Sequence, residues 1–489
     1  MEKLRPIFRF VGRVLLAFGL FERVAVLLLG QRIAAVAGLT LKAAFRFRLV
    51  LVLAVTLLGG VVILPLIIKD DGTARGFTQI LLTYTLTMIT ALLGCATLWL
   101  GCGTLARDVE ECQIQMLAVK PVARWQIWLG KWLGILCLNA LLLALSSGAV
   151  FLLLQWRAQR LPPAQQTILR NEVLVARGSA KEPVPDYEAD VEHLMKAQLK
   201  ENPALAADLP ALQKIIRERV KASQQIVPPG YRRQWQIDLG LAKNYLRNQP
   251  LYIRAKFNVA QPSPSGTYPG RWVVGGFESP WAHRPEPLSL AADTFHQFAV
   301  PPNLFDESGQ LTISFINLSD TALLFSLEEG MEVLYREGGF GLNFFRGVAI
   351  IFCWLALLAA MGLASASFLS FPVAAFLSLG ILVVGFSSGT LSQIVTEGGI
   401  MGVNHETGYT ENPTLLDQVA VPVARKILNV VNLVRGFSPI DSLSTGRSIT
   451  WGLLARAFAQ ICLLMSGLFA AAGISIFTRR ELATAQGNQ

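Results

Sequence analysis

The chain has 489 residues, of which 53% are hydrophobic and 16% charged, and it carries a net charge of +10. That apolar excess excludes an ordinary soluble protein and directs attention to uncharged runs of about 20 residues, the length that crosses a bilayer. Residues 157–346 hold 21 basic and 20 acidic side chains, so nearly all the positive excess lies elsewhere, in the apolar parts. It reads as membrane topology and headgroup contact, not as a nucleic-acid surface.

In chain order, residues 1–48 place Arg9, Arg13, Arg23 and Arg32 between apolar stretches, as an amphipathic interfacial helix would. Uncharged runs follow at 49–68, 77–106 and 132–156. Residues 347–396 carry no charge, and Phe371-Pro372 divides them into two halves of spanning length, because proline breaks a helix and restricts its predecessor. The last run is 457–478, for a total of six expected spans. Nine Lys and Arg in the first 48 residues place the N-terminus in the cytoplasm, and Arg479 and Arg480 put the C-terminus there too. Arg425, Lys426, Arg435 and Arg447 then fall outside, against the rule; loop length and the clean N-terminal signal decide against them.

Between the third and fourth spans, residues 157–341 form an extracytoplasmic domain without cysteine, so a core and not disulfides must hold it. Its first part, 157–230, is polar and helix-prone, with the best helices at 190–200 and 209–221. In 231–341 the period changes to two, most clearly in "LYIRAKFN" at 251–258. Seven or eight such short segments, punctuated by Gly and Pro, predict an antiparallel β-sandwich. The fold class expected is a polytopic α-helical membrane protein with six transmembrane helices and an α+β external domain. A second external segment, 397–452, is too charged to span and reads as short re-entrant or capping helices.

Signatures of catalysis are missing from this pattern. Gly130-Lys131 lacks the upstream glycine of a phosphate-binding loop, so the chain should bind no ATP of its own. His193, His283, His296 and His405 make no ligand cluster, and no metal or cofactor is expected on this chain. Among intramembrane polar residues, Asn139, Ser146, Ser387 and Ser388 are candidates for a translocation path; interhelical bonding and close helix packing are the plainer roles for them. Asn317-Leu-Ser meets the glycosylation pattern within an expected strand. Trp272, Trp281 and Tyr268 could stack on a glycan, or pack the sandwich.

Residues 104–121 have the size of a helix along the cytoplasmic face, stopped by Pro121. Arg107, Asp108, Glu110 and Glu111 crowd one end, and Gln113, Lys120 and Arg124 continue the polar series. A loop serving only as a connection needs no charges of both signs; one gripped by a soluble protein does. Arg124, Trp125, Trp128, Lys131 and Trp132 follow as the interfacial anchor of the third span.

The stretch "RDVEECQIQMLAVKPVARWQIWLGK" resembles the first cytoplasmic loop of ABC-2 type transporter permeases, and "LFAAAGISIFTRREL" at 468–482 resembles that family's last span and exit. The resemblance covers the membrane part; the insertion 157–341 departs from simple members. It implies a permease subunit that exports its cargo, with ATP and Mg on a separate ABC ATPase subunit that grips 104–121 as a coupling helix. It further implies a second permease chain, identical or not, forming the path with this one in a bacterial inner membrane. The insertion also admits a mechanotransmitter acting on a periplasmic partner, or a membrane-anchored glycan- or protein-binding module.

Overall fold

The computed structural model of the protein describes residues 30–46, 49–67, 73–113, 122–169, 173–183, 185–202, 209–240, 243–259, 261–276, 281–400 and 414–480. Two compact units divide the chain: one is 175–339, and the other holds what precedes and follows it.

The helical unit begins with α1 (Gln31–Arg46) and α2 (Leu49–Ile67). Their straight parts meet at 67°. The amphipathic face of α1 is covered: Ile33, Ala34, Val36, Ala37 and Leu41 are buried. It lies on Gly130 and Gly134 of α4 (Arg124–Ala158), where an added Cβ would come within 2.6 Å of Val36 Cβ and 2.8 Å of Ala37 O. Helix α3 (Ala74–Glu110) starts at a Thr73 cap, whose hydroxyl accepts from Gly76 N, and runs unbroken for 37 residues. It therefore continues straight through the start of the segment expected as a separate helix at 104–121.

The second unit comprises β1 (Val175–Ala180), α5 (Glu188–Glu201), α6 (Leu209–Gln225), β2 (Ile226–Val227), β3 (Arg232–Asp238), β4 (Leu251–Ala255), β5 (Asn258–Val259), β6 (Thr267–Val274), β7 (Leu288–Ala291), β8 (His296–Val300), β9 (Gln310–Asn317), β10 (Leu323–Leu324) and β11 (Met331–Gly339). Two four-stranded sheets, β1-β11-β4-β8 and β3-β9-β6-β7, and a short third one, β2-β10-β5, are antiparallel throughout. Trp235 and Ile237, Ile253 and Ala255, Trp272 and Val274, and Val333 alternate along their strands into one shared core. Trp272 of one large sheet meets Phe298 of the other at 5.4 Å between ring centres, as in two faces closing on each other. Helices α5 and α6 pair around a small core of their own at Val191, Leu212, Ile216 and Val220. One correction concerns 157–230: Val175–Ala180, read there as part of a helical region, is a strand paired with β11.

The helical unit resumes with α7 (Phe340–Ala366), α8 (Phe371–Phe386), α9 (Ser388–Glu397), α10 (Leu415–Arg435) and α11 (Trp451–Arg479), the last containing a π-helical stretch, Phe458–Met465. The break before Phe371-Pro372 stands where proline required it, since the second residue of a helix needs no N–H partner. The following apolar stretch is not straight: α8 and α9 meet at 55°, at Ser387. Instead of several short helices, 397–452 contains the 21-residue α10, opened by a reciprocal Thr414–Asp417 cap, and the short helix Pro439–Ser444. Helix α7 is the centre of the unit. Against α3 it packs backbone to backbone, because a Cβ on Gly362 would stand 3.0 Å from Leu98 O. Four helices among the described residues (α3, α4, α7, α11) are long and apolar enough to cross a membrane, or six if each bent pair is one span.

Candidate functional site

The polar series beginning at Arg107 is built into the end of the bundle. Asp108 forms an ion pair with Lys131, whose ammonium also donates to Thr104 O at 2.8 Å. Lys131 is buried, so this cation sits inside the α3–α4 contact. Glu110 Oε1 accepts from Phe371 N at 2.9 Å and so caps α8, whose own Ser370 makes no side-chain cap. A carboxylate there satisfies an orphan donor and faces the positive end of the helix dipole. Arg107 stacks on the Phe371 ring at 4.7 Å, and Trp99 meets the same ring edge-on at 4.8 Å.

Arg124 closes the other side of this end. Its guanidinium donates to Phe477 O, Thr478 O and Arg480 O, the free carbonyls at the end of α11. Arg480 in turn donates to Ser367 O, just past the end of α7. Inside, Ser378 of α8 donates to Ser365 of α7 at 2.9 Å. Helices α3, α4, α11, α7 and α8 are thereby joined in a ring of polar contacts. Of the expected partner-facing residues, Arg107, Asp108, Glu110 and Arg124 are engaged within the chain. Glu111 and Gln113 are exposed, and the Gln113 amide donates to the Glu111 carboxylate at 2.6 Å. Lys120 lies outside the described residues.

The anchor at the start of α4 is corrected in the same way. Trp125 is exposed, but Trp128 is fully buried beside Gly473, and Trp132 donates to Ala356 O at 3.0 Å. Lys131 was legible as more than an anchor: it is the sole charge between Arg124 and Arg157, enclosed by Trp128, Gly130 and Trp132.

The candidate path residues are not brought together by hydrogen bonding. Asn139 is buried in the bundle and lies 2.9 Å from the Thr97 hydroxyl of α3. Ser146, also buried, donates to Leu142 O and Leu143 O of its own helix. Ser387 donates to Val383 O at the α8–α9 bend, with Ser388 buried next to it. Asn139 and Ser146 thus face the interior of one chain and do not line a surface between two.

In the sandwich unit, Trp272 and Tyr268 are core residues, and Trp281 alone of the three named aromatics is exposed. Asn317 is wholly buried, its amide donating to Val227 O and Thr321 O and accepting from Ser319. All four hydrogen-bonding positions of the side chain are used, so it serves the fold and offers no nitrogen to a glycan. Among the described residues no three His, Cys, Asp or Glu side chains converge as a metal site. All six cysteines are free thiols. Compared with known proteins, the chain matches no family model, no curated protein and no solved structure.

Proposed function

We propose that the chain is the permease subunit of an ATP-binding-cassette transporter of the ABC-2 type, working as a pair of permease chains in a cell membrane and driven by ATP hydrolysed on a separate subunit. The observation that carries this reading is the end of α3. At 1.5 Å per residue its 37 residues measure about 55 Å, well beyond a hydrocarbon core of about 30 Å. The excess presents Glu111 and Gln113 to solvent on a helix end that is braced to four others. A push delivered there would reach α4 through Lys131 and α8 through Glu110 and Phe371. Export is the direction favoured by the family resemblance, with both chain termini and this helix end in the cytoplasm and the sandwich unit outside.

The test separates surface from scaffold. Reversing Asp108 or Glu110 would dismantle internal contacts, whereas Glu111→Lys with Gln113→Glu alters only exposed groups. Affinity purification of the tagged chain in mild detergent should bring down an ABC ATPase with wild type and lose it with the double variant. Wild type that is folded and brings down no ATPase would overturn the permease reading.

A second reading is supported by the sandwich unit, which is 165 residues long with a core of its own. In it, ATP work on the helices moves this unit against an envelope partner and no solute crosses. ATPase activity stimulated by a lipid or solute, and not by such a partner, would count against it.

A further inference from the structure

Helices α3 and α4 run antiparallel with polar residues in matched register. Thr104 is opposite Lys131, and Thr97 is opposite Asn139, as their contacts of 2.8 and 2.9 Å show. Thr90, seven residues before Thr97, shares its face of α3, and Ser146, seven residues after Asn139, shares its face of α4. This is a polar seam inside an apolar bundle.

Its hydrogen bonding is incomplete. Thr78, Thr85 and Thr97 donate back to the carbonyls of Ala74, Leu81 and Leu93, the usual resort of a hydroxyl in a helix. The buried hydroxyls of Thr90 and Thr104 make no such bond and have no protein partner among the described residues. Asn139, 1% exposed, has the same deficit at Nδ2. Thr97 has one proton for two acceptors, Leu93 O and Asn139 Oδ1. Turning the amide over would resolve that conflict but leave Oδ1 in place of Nδ2, so one amide atom lacks a protein partner in either orientation. Lys131 contributes a third ammonium proton beyond those given to Thr104 O and Asp108.

We propose that the α3–α4 seam is a binding site for internal water, a file bridging Thr90, Asn139, Thr104 and the inner side of the Lys131–Asp108 pair. Polar walls with several convergent donors and acceptors hold water, whereas apolar cavities stay dry. The site stands on the seam alone and does not depend on the transport reading.

The sign of a stability change tests it. In the full-length protein in detergent, Thr90→Val, Thr104→Val and Asn139→Leu remove the polar atoms with little change of volume. A hydrated seam loses water-mediated bonds, and each variant melts lower by about 1–3 °C. A dry seam loses an unsatisfied polar group, and the variants melt higher, which would overturn the proposal. Should Asn139→Leu fail to fold, a second measurement decides. Thr90→Cys, in a cysteine-free chain with wild-type melting, should bind aqueous silver ion, with lipid-facing Leu152→Cys as the unreactive control. A Thr90→Cys thiol as protected as the control would also overturn the proposal.

Discussion

Lys131 and Asp108 are withdrawn from solvent to different degrees, their side chains being 7% and 25% exposed. The cost of losing either partner follows from that difference. Asp108→Ala strands a buried ammonium, at the upper part of the roughly 3–5 kcal/mol that breaking a buried pair costs. Lys131→Met leaves a carboxylate that reaches water and fills the same volume with an apolar chain, so it should cost distinctly less. Thermal unfolding of the two variants checks the order; equal losses would show that the pair acts as a surface contact. A second residue-scale case is Asp306, in the β8–β9 turn. The Ser308 hydroxyl and Gln310 N donate to it at 2.6 and 2.8 Å and hold its carboxyl below the usual carboxylate range. A lowered folded pKa means the stabilisation is complete above the unfolded value of about 3.9 and is lost as pH falls through the folded one. Asp306→Ala should therefore melt below wild type at neutral pH, with the gap closing in acid. A gap unchanged in acid would mean that the bonds, not the charge, supply the stability.

Among the elements, close helix approach rests on glycine where backbone faces backbone. Gly362→Ala would place a methyl 3.0 Å from Leu98 O and 3.1 Å from Cys102 N, atoms fixed in α3 and unable to turn aside. A loss of about 1–3 kcal/mol is expected, the usual cost of overpacking, read as a lower melting temperature. Gly467→Ala, with open space around it, is the control. The same scale shows what sequence pattern conveys. The alternation in 251–258 marks β4 because Leu251, Ile253, Ala255 and Phe257 enter the apolar core while Arg254, on the other face, pairs with Glu332. "VARGSA" has no such alternation: Val175, Ala176, Arg177 and Gly178 are all buried, and Gly178 makes room for the Tyr335 ring. Its strand state comes from pairing with β11, a long-range cause that a local window does not contain. The helix end at Glu110 was hidden for a related reason. Charges ordinarily mark the end of a span, but here Asp108 and Glu110 have partners at Lys131 and Phe371, the second of them 261 residues away.

For the whole molecule, those internal partners change how the bundle end is to be probed. The expected coupling segment was legible as a charged connection between two apolar runs, but which charges face inward depends on helices far along the chain. Only Glu111 and Gln113 remain as tests of an external grip among the described residues of that segment. Glu111→Lys alone should leave melting unchanged, within about 0.5 kcal/mol for an exposed site, while weakening ATPase association. Retained association with unchanged melting would move the contact elsewhere on the chain.

The tight crossing of α3 and α7 also bears on how the protein is made. Gly101 and Gly362 meet, yet 261 residues separate them, and the entire sandwich unit lies between. At about 5–20 residues per second, translation takes on the order of 10–50 s to deliver α7 after its place on α3 has emerged. Through that interval α3 is without the helix that packs on its Gly101 face. The sandwich, complete by Gly339, has time to fold before the bundle can close.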